Sequence, residues 1–324
     1  MLAAYAKTFD ADDPLAGLCV GELPMPEPEP GWCLVRVRAA SLNHHDVWSL
    51  RGVGLREEQL PMILGCDACG VDPDGNGVIV HGLIGDPDWR GDETLDPQRS
   101  LLSERYPGTF AEYLTVPRRN LIPKPPSLSD AEAACLPTAW LTAFRMLFTA
   151  AALSPGQTVL VQGATGGVAS AAIGLAKAAG VRTWATSRSE QGMDFARRMG
   201  ADDVFASGDR LPERVDAVIE TVGEATWGHS LRSLQPGGTV VVAGATTGHG
   251  PPADLNHVFF RQLRVVGSSM GTLAEFHELL RLLDGSGLRP PIDSTFPLAE
   301  AGEAISRMID GTALGKMVLC PENR

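Results

Sequence analysis

The sequence predicts an α/β protein: a mostly-β first part followed by a doubly wound parallel sheet with helices on both faces. Three observations predict it. After Pro125-Pro126, short apolar runs alternate with helical stretches, the pattern of a parallel sheet covered on both sides. A glycine-rich turn joins the first of those runs directly to a helix. Ahead of them, the chain to about residue 122 is rich in Pro and Gly and short in helical periodicity. With 324 residues, a prior of roughly 150 residues per domain gives about two domains.

The elements follow in order. Leu34–Arg38 alternates as a half-buried strand does, and Gly77–His81 reads as another. Between residues 21 and 31, Pro24, Pro26, Pro28 and Pro30 mark an extended loop, because prolines at that density cannot sit in a central ladder. Residues 82–108 are polar and too long for a bare connection, which points to a functional or partly structured segment. Residues 129–152 are Ala- and Leu-rich and helical, opened by Ser129 and Glu132 at capping-box spacing. The apolar runs are Thr158–Gln162, Arg182–Thr186, Val215–Glu220, Thr239–Ala243 and Leu263–Val266. The intervening segment Gly167–Ala179 puts Val168, Ala171, Ala172, Leu175, Ala176 and Ala179 on one helical face, and residues 273–284 form an amphipathic helix. We place the domains at 1–122, 123–288 and 289–324, the last returning to the first.

Composition excludes whole classes of function. With Lys+Arg at 27 against Asp+Glu at 39, the net charge is −12, unsuited to holding nucleic acid or an anionic membrane. Hydrophobic residues make up 44%, enough for a core rather than a disordered chain. No run approaches the roughly 18 apolar residues needed to cross a bilayer, and the start MLAAYAKTFDADD lacks a secretory pattern. Six dispersed cysteines read as reduced thiols. The expectation is a cytoplasmic protein acting on a small molecule.

The strongest local signal is VLVQGATGGVASAAIGLAKAAG, residues 159–180. Its glycines allow a tight turn, and the following helix N-terminus offers free N–H groups to a pyrophosphate. Gly163, Thr165, Gly166, Gly167 and Val168 are the candidates; a purely structural turn is the alternative. The next strand ends Ala185-Thr-Ser-Arg-Ser189, without the acid that holds an unphosphorylated ribose. Ser187 and Arg188 would instead grip a 2′-phosphate, which selects NADP(H), unless Arg188 is simply a solvated surface charge.

Several stretches together resemble one family. AASLNHHDVWSLRG (39–52), PMILGCDACGV (61–71), GTFAEYLTVP (108–117), EAACLPTAWLTAFRML (132–147), the glycine turn, VVGSSMGT (265–272) and ALGKMVL (313–319) fall in the order seen in medium-chain dehydrogenases/reductases, nearest the zinc-free, quinone-oxidoreductase-like branch. The resemblance implies a GroES-like catalytic domain built from both chain ends and interrupted by a Rossmann domain. Where zinc-dependent members carry Cys, His and Cys, this sequence has Asn43, Cys66 and Thr138, with Asp67 keeping the adjacent acid. Asn and Thr oxygens are poor zinc donors, and residues 82–108 contain no cysteine, so no metal is expected. Cys66-Asp-Ala-Cys69 with His44 and His45 leaves a residual metal reading, weak without a partner pair.

The same resemblance assigns roles. Asn43 to Trp48 would line the nicotinamide side of the cleft: Asn43 bonding ribose or substrate oxygen, Asp46 orienting the loop, and His44 or His45 donating a proton where the branch has a Tyr and this chain has Trp48. Thr142, Ser269 and Met270 would contact the nicotinamide end, and Lys316 the pyrophosphate. Thr221, Val222, Gly244 and Ala245 follow strand ends, where open α/β sheets bind ligands. The apolar strand Leu263–Val266 near the sheet edge implies a homodimer through the Rossmann domains. The expected function is zinc-independent, NADPH-dependent hydride transfer to a quinone, enone or small carbonyl compound. The alternatives are a non-catalytic, crystallin-like or sensor cofactor binder, which Trp48 in place of Tyr keeps open, and a zinc-dependent alcohol dehydrogenase.

Overall fold

In the computed structural model, which describes residues 1–321, the chain divides into two compact units: Met1–Thr138 together with the chain from Arg289 onward, and Ala139–Leu288. Residues 123–138, which composition groups with the second domain, belong to the first unit. The short helix Asp130–Ala134 packs on the strands Trp32–Ser41 and Asp67–Val71 there, which is a tertiary choice that composition does not register. Ser129 caps that helix as its spacing predicts: Glu132 N–H donates to Ser129 Oγ, and Ser129 N–H to the Glu132 carboxylate.

The first unit is built on a seven-stranded sheet. Its path runs Leu121–Pro123, Gly77–Val80, Asp67–Val71, Trp32–Ser41, Lys316–Cys320 and Ile292–Pro297, with Tyr113–Pro117 also paired to Trp32–Ser41. The long strand forms because Cys33, Val35 and Val37 alternate into the core while Arg36 points out. The tail joins it antiparallel, with Leu319 opposite Ala40 and Val318 opposite Ser41. That pairing brings Lys316 back to the loop after Ser41, 273 residues away in sequence. The prolines between Glu22 and Trp32 lie outside any strand. Residues 82–108 hold two short paired strands, Leu83–Ile84 and Ser100–Leu101, and one turn of 3-10 helix.

The second unit carries six parallel strands in the order Asp203–Ala206, Arg182–Ser187, Thr158–Val161, Val215–Glu220, Leu234–Val242 and Arg264–Gly267. The expected runs are all present, shifted by a residue or a few at their ends. Asp203–Ala206 is an addition: a four-residue edge strand with partly exposed Val204 and Phe205, too short and too polar at its start to stand out by periodicity. Gly167–Ala178 is the helix after the glycine turn, burying Ala171, Ala172, Leu175 and Ala176. Leu273–Ser286 is the amphipathic helix. The opposite edge strand, Arg264–Gly267, is largely exposed. No described helix is long and apolar enough to cross a membrane.

Candidate active site

In the first unit a buried polar cluster forms around Asp67, which has no exposed surface. Asp67 starts a strand, and its carboxylate faces the end of the neighbouring strand and the helix His44–Leu50. Its Oδ2 accepts from Ser41 Oγ at 2.9 Å and Asn43 Nδ2 at 2.8 Å, and its Oδ1 accepts from Thr138 Oγ1 at 2.6 Å. Lys316, 3% exposed, donates through Nζ to the Leu42 carbonyl and to Asn43 Oδ1 at 2.7 Å, with Asp67 Oδ2 at 3.8 Å. The ammonium and carboxylate balance each other, which is what makes two buried charges tolerable.

A second set of groups lies alongside. His45 Nε2 is 3.1 Å from Glu104 Oε1, while Nδ1 is 3.3 Å from Cys66 Sγ and 3.4 Å from Ser103 Oγ. Burial works against a charged His45 ring, but Cys66, Glu104 and Asp46 outweigh it and hold its pKa well above the ordinary value. Burial pushes the Cys66 thiol up, against the pull of His45, and the Leu102 carbonyl lies 3.3 Å from Sγ. Asp46 caps its own helix: Oδ2 accepts the Asn43 N–H at 2.8 Å and Oδ1 the Gly65 N–H at 3.2 Å. Its full burial lifts its pKa to about 6, against the pull of His45, that capping bond and Lys316.

The expected residues therefore divide. Asn43, His45 and Asp46 converge, Asp46 accepting the Asn43 and Gly65 N–H groups. His44 is exposed, its imidazole held below the ordinary value by partial desolvation and the cations Lys316 and Arg51. Trp48 is half-buried on the same helix. Both ends of the Asn43 amide are engaged within the cluster. The Lys316 ammonium, expected at a pyrophosphate, is directed instead at Leu42 and Asn43, because the antiparallel return of the tail buries its stem. Sequence reasoning missed Ser103 and Glu104. The polarity of residues 82–108 was their only signal.

In the second unit, Gly163 sits at φ +69° at the end of its strand, and an added Cβ would meet Val222 Cγ2 at 2.8 Å. Glycine adopts that conformation without steric cost, and here the contact with Val222 also leaves no room for a Cβ. Gly166 is the N-cap of the following helix with no side-chain cap, and a Cβ there would find nothing nearer than the Gly163 carbonyl at 4.0 Å. The turn thus leaves the helix N-terminus uncapped by a side chain and the space at Gly166 open, a fit for a dinucleotide pyrophosphate. Half-buried Thr165, Gly167 and Val168 follow in the same turn. Ser187 is buried at the end of the second strand and Arg188 is exposed next to it. Thr221, Val222, Gly244 and Ala245 are half-buried beyond two strand ends, whereas Thr142 and Met270 are buried and Ser269 exposed. Glu220, also unanticipated, shapes one of these loops: its buried carboxylate accepts from Val222 N at 2.8 Å, Gly223 N at 3.0 Å, Thr226 Oγ1 at 2.9 Å and Ser230 Oγ at 2.6 Å.

Residues 29–126 match the alcohol dehydrogenase GroES-like domain, and residues 167–285 match the zinc-binding dehydrogenase family. An NAD-dependent alcohol dehydrogenase of Saccharolobus solfataricus is 30% identical, over 94% of this chain and 96% of that protein. The chain belongs to the medium-chain dehydrogenase/reductase superfamily. It is an enzyme of the oxidoreductase type. The quinone oxidoreductase of Mus musculus is 27% identical over 97% of this chain and 96% of its own. The solved structure of the 2-octenoyl-CoA carboxylase reductase CinF, in complex with NADP and 2-octenoyl-CoA, superposes with a TM-score of 0.91 at 29% identity, covering 100% of this chain and 88% of that one.

The zinc named by the family does not fit the donors present. Asn43 and Thr138 direct their polar hydrogens at Asp67, and the Asn43 oxygen faces the Lys316 ammonium. His45, Asp46 and Cys66 do bring ligand-type atoms within 4.8 Å of one another. Both Asp46 oxygens, however, already hold backbone N–H groups.

Proposed function

We propose that this oxidoreductase takes hydride from NADPH and passes it to a conjugated acceptor: an enone, an α,β-unsaturated thioester or a quinone. The second unit binds the dinucleotide, with Gly163 to Val168 at the pyrophosphate and Ser187 and Arg188 at the 2′-phosphate. The first unit orients the acceptor and supplies a proton from His45. The observation that carries the reading is the Lys316–Asp67–Asn43–Thr138 cluster, a closed hydrogen-bonded pair of charges where a Lewis acid would otherwise act. A simple alkoxide needs such an acid, whereas an enolate or quinol anion spreads its charge and manages with hydrogen bonds. The NADP-bound CinF structure and the quinone oxidoreductase are consistent with this substrate class.

The test is NADPH oxidation against crotonyl-CoA, an enone, a benzoquinone and an aldehyde, before and after chelation with metal analysis. Turnover of conjugated acceptors, unaffected by chelation and faster than any with simple alcohols, is expected. Stoichiometric zinc whose removal abolishes activity overturns the reading.

The protein works as a cytoplasmic homodimer paired along Arg264–Gly267. That edge strand exposes half of Val265, and Leu255, Phe259 and Phe260 stand exposed on the helix just before it, a liability that pairing with a second copy removes. Sedimentation should give a dimer for the native chain and a monomer for Val265→Asp. A monomer at micromolar concentration for the native chain excludes the assembly.

A further inference from the structure

We infer that Gln162 is a positioning residue for the dinucleotide: its buried amide ties together the three strand ends that form the cofactor cradle. The inference rests on the reading above, in which the second unit binds the cofactor along the glycine turn. Gln162 follows the apolar strand Thr158–Val161 and has no exposed surface. A buried amide in such a place costs energy unless its hydrogens find acceptors, and both of them do.

The direction of every bond follows from one end of the network. The buried Glu220 carboxylate accepts, so the single hydroxyl hydrogen of Ser230 points to its Oε2 at 2.6 Å. Ser230 Oγ can then only accept from Gln162, which turns the amide nitrogen towards it at 3.0 Å. The second amide hydrogen goes to His229 Nδ1 at 2.9 Å. His229 Nε2 lies 2.8 Å from the Asp209 carbonyl, another pure acceptor, so Nε2 carries the ring hydrogen and Nδ1 is bare. On the opposite side, Gln162 Oε1 accepts from Thr186 Oγ1 at 2.6 Å. The Thr186 hydrogen is thereby used, and its oxygen faces the Gly163 N–H at 3.4 Å as an acceptor.

Each end of this network stops at the cradle. Thr186 also accepts the Ala164 N–H on its carbonyl at 2.9 Å, and the next residues are Ser187 and Arg188. Glu220 holds the Val222 and Gly223 N–H groups, and Val222 packs on Gly163 so closely that no Cβ fits between them. The strands concerned, Arg182–Ser187, Thr158–Val161 and Val215–Glu220, are neighbours in the sheet, and open α/β sheets bind ligands beyond such ends. An apolar side chain at 162 would fill the same space but leave the glycine turn, the Ser187 end and the Val222 loop to settle independently. A cradle fixed before the ligand arrives lowers the ordering cost of binding.

The test is calorimetric titration of the native chain and its variants with NADPH and with NADH. Gln162→Met, similar in volume but without the amide, should raise both Kd values by a common factor of about tenfold or more. Thr186→Val removes only a hydroxyl and leaves the bonds of Gln162 to Ser230 and His229 in place. It should raise both Kd values about threefold or more, and Thr186→Ser should bring them back near native. That pair decides the matter if Gln162→Met does not fold. In 15N NMR of histidine-labelled protein, with His229 assigned by its loss in His229→Asn, Nε2 should report as the N–H nitrogen and Gln162→Met should move the Nδ1 signal. Native Kd values in both Gln162→Met and Thr186→Val overturn the inference, as does a rise that Thr186→Ser shares in full or one confined to NADPH. If the native chain binds neither dinucleotide, the reading of the second unit fails and takes the inference with it. Native binding that the variants match sinks the inference alone.

Discussion

The two units treat their polar groups in opposite ways. In the first, the buried Asp67 and Lys316 and the half-buried Asn43 and Thr138 satisfy one another by hydrogen bonds and charge. In the second, the glycine turn leaves the helix N-terminus without a side-chain cap. One arrangement is closed and rigid, and removing a member strands its partners. The other is incomplete until a ligand arrives. Substitutions in the Asp67 cluster should therefore register mainly in stability, and substitutions in the turn mainly in cofactor affinity.

The largest effect is expected for Asp67→Ala. It leaves the buried Lys316 ammonium uncompensated and deprives Ser41, Asn43 and Thr138 of their acceptor, at a cost of about 3–5 kcal/mol in urea unfolding. A loss under about 1 kcal/mol would show that the cluster is not the closed network its distances describe. Asp46 sharpens the same point through pH. Its pKa is raised in the folded chain to about 6 from 3.8, so the folded state binds the extra proton. The stability this contributes is fully present below pH 3.8 and is lost as pH rises through 6, on the order of 3 kcal/mol. Asp46→Asn should flatten that part of the stability curve between pH 4 and 6, measured by chemical unfolding in matched buffers.

Effects in the second unit should be smaller and confined to binding. Gly163→Ala forces a Cβ onto Val222 and a left-handed backbone onto alanine. NADPH affinity should fall by roughly tenfold or more, with the first unit's unfolding unchanged. Arg188→Ala removes one charge-assisted contact, worth about 1.5–3 kcal/mol. The Kd for NADPH should rise roughly 10- to 150-fold while that for NADH barely moves. Equal affinity of the native chain for both cofactors would remove the basis for the 2′-phosphate assignment.

How much was legible in the sequence differs between the units for the same physical reason. The parallel sheet was read strand by strand because each buried strand is a continuous apolar run and each helix carries its own 3.6-residue stripe. Only Asp203–Ala206 escaped, being short, at an edge and half exposed. The glycine turn was legible because a left-handed residue and a close approach both demand glycine locally. The first unit's cluster was legible only in part. Asn43, His45 and Asp46 stand together in the chain, but their partners come from residues 66–67, 103–104, 138 and 316.

The sequence by itself determined the family, the two-part fold, the glycine turn and the capping of the helix at Ser129. These depend on periodicity and on residues within a few positions of one another. Only the tertiary structure decided that Lys316 turns inward to Asn43, that His45 rather than His44 meets a carboxylate, and that this carboxylate is Glu104. Those outcomes hang on the register of the tail against Trp32–Ser41 and on the path of residues 82–108. A buried charge takes whichever partner long-range packing brings within about 3 Å, and no local spacing encodes that choice.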